Sequence, residues 1–319
     1  MRLFVPDKGP SFFSLVIPVI LATGLTSAEN LPITAYTTAE GLAHNHINRI
    51  RQDSRGYLWF CTDGGLSRFD GYRFKNYTTE EGLPHPWVND LLEARDGTYW
   101  IATDGGVCRF NPNGHASRHS ASDRTQTPSV SDKPSAVGAE LMFVVYHPSQ
   151  QEDANRVNAL IEDPSGAIWC ATYAGLYRLQ PGANVAFQLV DLEFPRNTYQ
   201  GRLVNNLALG GDGTLWIAAR QGLFRRLHDG RTERYSAAQG LPDKDNNVET
   251  VFQDHTGRWW IGTRGRGFCS VVNAPEPGQR VTSACYSTVD GLPGNDVRSI
   301  FQSSTGGLGM VGTKSPAKE

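Results

Sequence analysis

The chain has no C-x-x-C pair, no P-loop, no nucleophile elbow and no zinc-ligand spacing, so the sequence signatures of those nucleotide, hydrolase and metal sites are missing. Net charge is also scarce: 30 basic against 32 acidic residues leave −2, which excludes a concentrated Lys/Arg surface and with it nucleic acid as an expected partner. Long amphipathic helical patterns are not evident, and beyond the N-terminal stretch no apolar run is long enough to span a bilayer. Five cysteines, Cys61, Cys108, Cys170, Cys269 and Cys285, make an odd count that indicates no disulfide framework. Each reads as a small buried hydrophobe.

What is abundant is turn chemistry between bulky-residue runs: Gly 34 and Pro 18 beside 10% aromatic residues, the composition of an all-β chain. The N-terminus reads as a targeting signal. Arg2 and Lys8 precede the apolar run Ser11 to Leu25, and Thr26-Ser27-Ala28 offers small residues for cleavage. We expect a signal peptide over 1–28, export to the periplasm, and a mature domain over 29–319; an uncleaved membrane anchor is the alternative.

Self-similarity then organises the rest. Asp53 to Phe69 reads DSRGYLWFCTDGGLSRF and Ala94 to Phe110 reads ARDGTYWIATDGGVCRF; further copies run from Asp163, Gly210 and Asp254, the last with one extra residue in its second turn. The skeleton is Gly, two residues, Trp, an apolar residue, a small residue that is usually Thr, and a Gly-containing turn. A degenerate copy over 304–319 has Met310 where tryptophan should stand. Trp59, Trp100, Trp169, Trp216, Trp260 and Met310 lie about 41, 69, 47, 44 and 50 residues apart, the period of a propeller blade. The long spacing contains a low-complexity stretch over 115–138 that reads as an insertion. The apolar run Leu141 to Tyr146 after it reads as a strand, with a concealed extra blade as an alternative.

A second element, Tyr followed by Gly-Leu and apolar alternation, recurs with turn glycines Gly41, Gly82, Gly240 and Gly291. Each unit therefore has four strands: a Val-Asn-x-Leu run, the tryptophan run, a Leu-x-Arg-Phe run, and one ending at Tyr. Gly56, Gly97, Gly166, Gly213 and Gly257 supply the positive φ of a tight hairpin. The tryptophans are expected to fill the gaps between neighbouring blades. The fold expected is an all-β propeller of four-stranded antiparallel blades, about six in number, in an incomplete ring whose N-terminal strand Ile33 to Tyr36 lacks a partner.

Units with GLP turns, V-N-x-L strands and G-x-L-W-I-[GA]-T hairpins closely resemble the two-component regulator propeller repeats of the extracytoplasmic sensor half of hybrid histidine kinases, over about residues 31 to 313. The resemblance implies a periplasmic ligand-sensing propeller, which in full-length relatives leads to a membrane-spanning histidine kinase module. The decaying last repeat suggests a truncated gene or fragment without its own kinase output.

Strand parity places the second turn of each blade and the blade-to-blade loops on one face. That face would collect Asp63, Asp104, Tyr173, Arg220, Arg264 and Lys314, with His44, His46, His85 and Trp87 from the Gly-Leu loops. We take Asp63, Asp104, Tyr173, Arg220, Arg264 and Trp87 as candidate contacts for a small polar ligand, sugar-like or acidic, with arginines pairing and aromatics stacking. Ordinary solvated turn residues would look the same. His44 and His46 alternate as a metal pair could, but no third ligand with motif spacing follows. Neither a metal nor a cofactor is expected. The Asp-x-x-Gly-x-x-Trp hairpins also resemble Asp-box turns of sialidase-type propellers, yet Asp53, Asp96, Asp163, Asp212 and Asp254 fall in the repeated turn, which accounts for them structurally. A sensor is expected rather than an enzyme, with a protein-interaction scaffold as the alternative.

Overall fold

The computed structural model describes residues 36–116, 140–180, 182, 185–194, 201–242, 247–272, 280–302 and 308–313. The expected leader, Ile33, all of the 115–138 insertion beyond residue 116, and Lys314 lie outside them.

The first blade is a meander of β1 (Ile47–Gln52), β2 (Leu58–Thr62), β3 (Gly65–Phe69) and β4 (Phe74–Tyr77). The second comprises β5 (Val88–Glu93), β6 (Tyr99–Thr103), β7 (Gly106–Phe110) and β8 (Phe143–Tyr146). A four-residue helix α1 (Glu152–Asn155) leads into the third blade, β9 (Val157–Glu162), β10 (Ile168–Thr172), β11 (Gly175–Gln180) and β12 (Ala186–Val190). The fourth is β13 (Val204–Leu209), β14 (Leu215–Ala219), β15 (Gly222–Arg226) and β16 (Thr232–Tyr235). The fifth is β17 (Val248–Gln253), β18 (Trp259–Thr263), β19 (Phe268–Val271) and β20 (Thr282–Tyr286). All pairings within these sheets are antiparallel.

Two expectations need correction, and one alternative falls away. The described blades number five rather than about six, because the degenerate repeat contributes only the two-stranded hairpin β21 (Asp296–Gln302) and β22 (Leu308–Thr313). The run after the insertion is not an extra blade: Phe143–Tyr146 is β8, paired with β7, so the insertion separates the third and fourth strands of blade two. Cys269 and Cys285 are not separate hydrophobes but form a disulfide directly across β19 and β20. Cys61, Cys108 and Cys170 are free and buried as read, and burial pushes each thiol up.

The first turn of a blade is built by its own side chains. In blade one the Asp53 carboxylate accepts from the backbone N–H of Arg55 and Tyr57 at 3.0 and 2.9 Å, while Gly56 takes φ 88°. The second turn explains the recurrent threonine: buried Thr62 donates to the Gly65 carbonyl at 2.7 Å and accepts from Gly64 N–H, and Thr103, Thr172 and Thr263 also donate across their turns. Gly65 must be glycine there, since a Cβ would lie 2.5 Å from the Tyr77 carbonyl oxygen.

The tryptophans occupy equivalent seats at successive seams. Trp59 packs with Val88, Leu91 and Ile101 of blade two, Trp100 with Val157 and Ile168 of blade three, and Trp169 with Val204 and Ile217 of blade four. Trp216 meets Val248 and Ile261, and Trp260 meets Val297 and Ile300. All five rings are buried, and truncating such a side chain costs about 3–5 kcal/mol.

Consecutive first strands pack side by side, β1 with β5, β5 with β9, β9 with β13, β13 with β17 and β17 with β21. No described element covers β1 in the same way. Ile47 and Ile50 are 37% and 53% exposed, whereas their counterparts Val88 and Leu91 are 0% and 3% exposed.

Candidate functional site

One repeated backbone bond builds the loop face. The N–H of the residue four after each tryptophan donates to the carbonyl of the residue just before the first strand of its blade: Asp63 to His46, Asp104 to Trp87, Tyr173 to Arg156, Arg220 to Leu203 and Arg264 to Asn247. Five of the six candidate residues thus hold one seat in successive blades, and the sixth, Trp87, is the partner of Asp104. Trp87 is 47% exposed and meets His85 edge to face at 5.9 Å.

The first strands add a polar ladder beneath these seats. Asn48 donates to the Val88 carbonyl at 3.0 Å, Asn89 to Val157 at 2.9 Å, Asn158 to Val204 at 2.8 Å and Asn205 to Val248 at 2.8 Å. Each amide stitches its blade to the next. Asn48 also reaches Asp63 Oδ1 at 2.9 Å, and Asn89 reaches Asp104 Oδ1 at 2.8 Å. In blade five the series breaks at Glu249, which has no amide hydrogen to offer. Burial pushes the Glu249 carboxyl above the usual range, with Arg264 and Arg298 pulling the other way.

Around this ladder the candidates are wired to groups the sequence reading missed. Asp104 Oδ2 accepts from Arg156 Nε at 3.2 Å, and the Arg156 guanidinium lies 3.9 Å from the centroid of the Tyr173 ring. An acid from blade two and an aromatic from blade three are therefore joined through one arginine. His46 Nδ1 stands 3.0 Å from Asp63 Oδ2. Deeper in, Asp90 ties three blades: it accepts two bonds from Arg51 at 2.9 and 3.1 Å and one from Leu160 N–H at 3.2 Å. Burial works to raise the Asp90 carboxyl, but Arg49 and Arg51 overcome it and hold it low.

The histidines serve local geometry. His44 Nδ1 accepts from His46 N–H and His85 Nδ1 from Trp87 N–H. Among the described residues, no three or more His, Cys, Asp or Glu side chains gather as metal ligands would. The turn acids divide into two kinds. Asp53, Asp163 and Asp254 each accept from the indole N–H of their blade's tryptophan at 2.9, 2.9 and 2.8 Å. Asp96 and Asp212, two positions later in the turn, accept from the backbone N–H of Thr98 and Thr214.

Blades of this construction, stacked first strand to first strand over wedged tryptophans, define a β-propeller with a chemically varied loop face. The sequence profile described as "Two component regulator propeller" matches residues 41–64, 82–105 and 242–265, each segment running from a Gly-Leu or Pro loop through the second turn. The chain is thus a β-propeller in which three segments match two-component regulator propeller repeats. Residues over 20% of the chain are 36% identical to histidine kinase P4 of Formosa agariphila, but this stretch is 5% of that protein's length.

Among solved structures, an extracellular domain assigned to a hybrid two component system of B. thetaiotaomicron superimposes with TM-score 0.63 at 22% identity, covering 88% of this chain and 34% of that one. Virginiamycin B lyase from Staphylococcus aureus gives 0.50 at 13% identity, covering 84% and 70%. PorZ, a surface component of the type-IX secretion system of Porphyromonas gingivalis, gives 0.52 at 12% identity, covering 80% and 35%. A sensor part, an enzyme and a secretion component share the architecture, so fold alone does not assign activity.

Proposed function

We propose that this propeller is the ligand-sensing part of an extracytoplasmic two-component sensor, exported to the periplasm by its leader, and that it reads a small polar ligand, carbohydrate first among the classes, on its loop face. The observation that carries the reading is the shared seat of Asp63, Asp104, Tyr173, Arg220 and Arg264 on one backbone frame. A constant scaffold presenting acid, aromatic and base in succession suits recognition of a ligand with several polar groups. Asp104, Arg156 and Tyr173 already form a paired charge beside a stacking ring. The disulfide between Cys269 and Cys285 is in keeping with an oxidising compartment. Among the described residues, no helix is long and apolar enough to cross a membrane. Output would pass to a histidine kinase module, as in the longer proteins that share these repeats.

A binding role is proposed over a catalytic one because the turn acids are spent on structure: Asp53, Asp163 and Asp254 hold indole and backbone N–H groups. Glycoside hydrolysis generally needs two free, placed carboxylates. The exposed loop face could equally serve as a protein-docking platform.

A thermal-shift screen of the purified chain against glycans and acidic metabolites separates the two, since a ligand preferring the native state raises Tm by mass action. The sensor reading expects a saturable rise in the wild type that shrinks in Arg264→Ala and Tyr173→Ala. A screen with no shift, together with a protein that copurifies, gives the platform reading instead.

A further inference from the structure

On the opposite face, the seam between blades three and four departs from the repeat. Each blade sets two facing residues on its second and third strands: Leu58 and Phe69, Tyr99 and Phe110, Ile168 and Leu179, Leu215 and Arg226, Trp259 and Val271. In blades two, three and five this pair is apolar and buried against the tryptophan of the preceding blade, plugging the seam. Blade four alone puts a cation, Arg226, where the others have Phe110, Leu179 and Val271. The plug is missing, and a groove of about 590 Å3 opens over Trp169 between the two blades.

Two guanidinium groups share that groove. Arg178 on β11, paired with Trp169 of β10, lies 5.7 Å from the indole centroid, and Arg226 lies 5.6 Å from it. Arg178 has a partial counterion in Asp163 at 3.7 Å and donates to Ser165 Oγ. Among the described residues Arg226 donates to neutral oxygens, the Gly230 carbonyl at 2.8 Å and Thr232 Oγ1 at 3.2 Å. Among the described residues it has no carboxylate within ion-pair distance; nearby Asp229 is taken by Arg231 at 2.6 Å. Burial, and then the charge of Arg178, lower the Arg226 guanidinium from its ordinary value. Two cations held together in a half-enclosed site have a standing gain to make from an anion. Gln188 and His228 add hydrogen-bonding groups to the lining, which also holds the carboxylates of Asp163 and Asp191, and Leu189, Leu209 and Leu215 supply its apolar part.

We infer that the groove between blades three and four is a binding site for a small organic carboxylate, its head group taken by Arg226 and Arg178 and its body lying on the leucine wall. A planar guanidinium matches a carboxylate in two parallel N–H···O bonds, which selects an acid over the isosteric amide. The groove volume lies within the range of small-molecule sites.

The test is isothermal titration of the purified chain with butyrate, phenylacetate and glucuronate, each beside its neutral amide. At least one acid should bind, about tenfold or more tighter than its amide, and lose about tenfold or more in Arg226→Leu. That variant restores the apolar residue other blades carry, so its fold is expected to survive, which a thermal melt checks. The inference is overturned if none of the acids binds at about 10 mM or tighter, if amide and acid bind alike, or if a folded Arg226→Leu binds as the wild type does. Arg264→Ala, on the other face, should leave this binding unchanged, so this site and the loop-face reading fail separately.

Discussion

The indole N–H of Trp59 donates to Asp53 Oδ2 at 2.9 Å, and the same oxygen accepts from the Tyr99 hydroxyl of the next blade at 2.9 Å. One carboxylate thus fixes its own turn, orients the wedge and clamps the adjoining blade. Its bonds hold the Asp53 carboxyl low although burial works to raise it. Asp53→Ala should destabilise the chain by about 2–4 kcal/mol, because two donors within the seam lose their partner. Asp96→Ala, whose carboxylate only caps a turn, should cost under about 1 kcal/mol. Urea unfolding of both variants checks the contrast; equal losses would show that the clamp contributes nothing beyond the turn.

Trp216 stands in the same seat without that support. Position 210 is glycine, and the Trp216 Nε1 is buried with no partner among the described residues. Trp216→Phe removes an unsatisfied donor as well as ring volume, whereas Trp59→Phe takes a buried hydrogen bond from the Asp53 carboxylate. The first should therefore be milder by about 1 kcal/mol or more, measured as the difference in unfolding free energy between the two variants.

Glu249 interrupts the asparagine ladder at a cost that depends on pH. Its folded value lies above the ordinary 4.5, so the unfolded chain releases this proton first as pH rises. The stability it contributes is complete below about 4.5 and is lost as pH climbs through the raised folded value. Glu249→Asn should gain about 1 kcal/mol at pH 7 and flatten that part of the profile. Asp254 acts in the opposite direction: its carboxyl is held down to about 2 from 3.8, burial being outweighed by bonds from Thr256, Trp260 and backbone N–H groups. Its contribution is present above 3.8 and fades as pH falls toward 2, and Asp254→Asn should remove that acid limb. Melting temperatures from pH 2 to 8 would expose either sign as wrong.

The Cys269–Cys285 bridge closes a 16-residue separation in blade five, for which chain-entropy arguments give about 2–3 kcal/mol. Reduction should lower stability by that amount. Thiol titration should find three reactive groups after unfolding without reductant and none in the native state, since Cys61, Cys108 and Cys170 are buried. Five groups after unfolding would mean that the bridge is absent.

The blade plan was legible because it rests on local chemistry repeated in series: positive-φ glycine, tryptophan three residues on, threonine closing the second turn. Counting tryptophan positions, however, counts second strands and not finished sheets, and Met310 marks a hairpin rather than a whole blade. The bridge was hidden because Cys285 lies outside the tryptophan hairpin, and only the register of β20 brings it opposite Cys269. The seats of Asp63, Asp104, Tyr173, Arg220 and Arg264 followed from strand parity. Arg156 did not, because it reaches Asp104 from the neighbouring blade across the long insertion. Four asparagines at one repeat position, with Glu249 breaking the series, were a signal in the sequence whose meaning needed the neighbouring carbonyls.

The central claim is that the loop face is where this propeller reads its ligand. Amide hydrogen exchange, measured by mass spectrometry with and without a compound that raises Tm in an Arg264-dependent way, tests it most directly. The account predicts slowed exchange in the turns holding Asp104, Tyr173 and Arg264, with the turns holding Asp53, Asp163 and Asp254 unchanged. Protection confined to that second set of turns would contradict it.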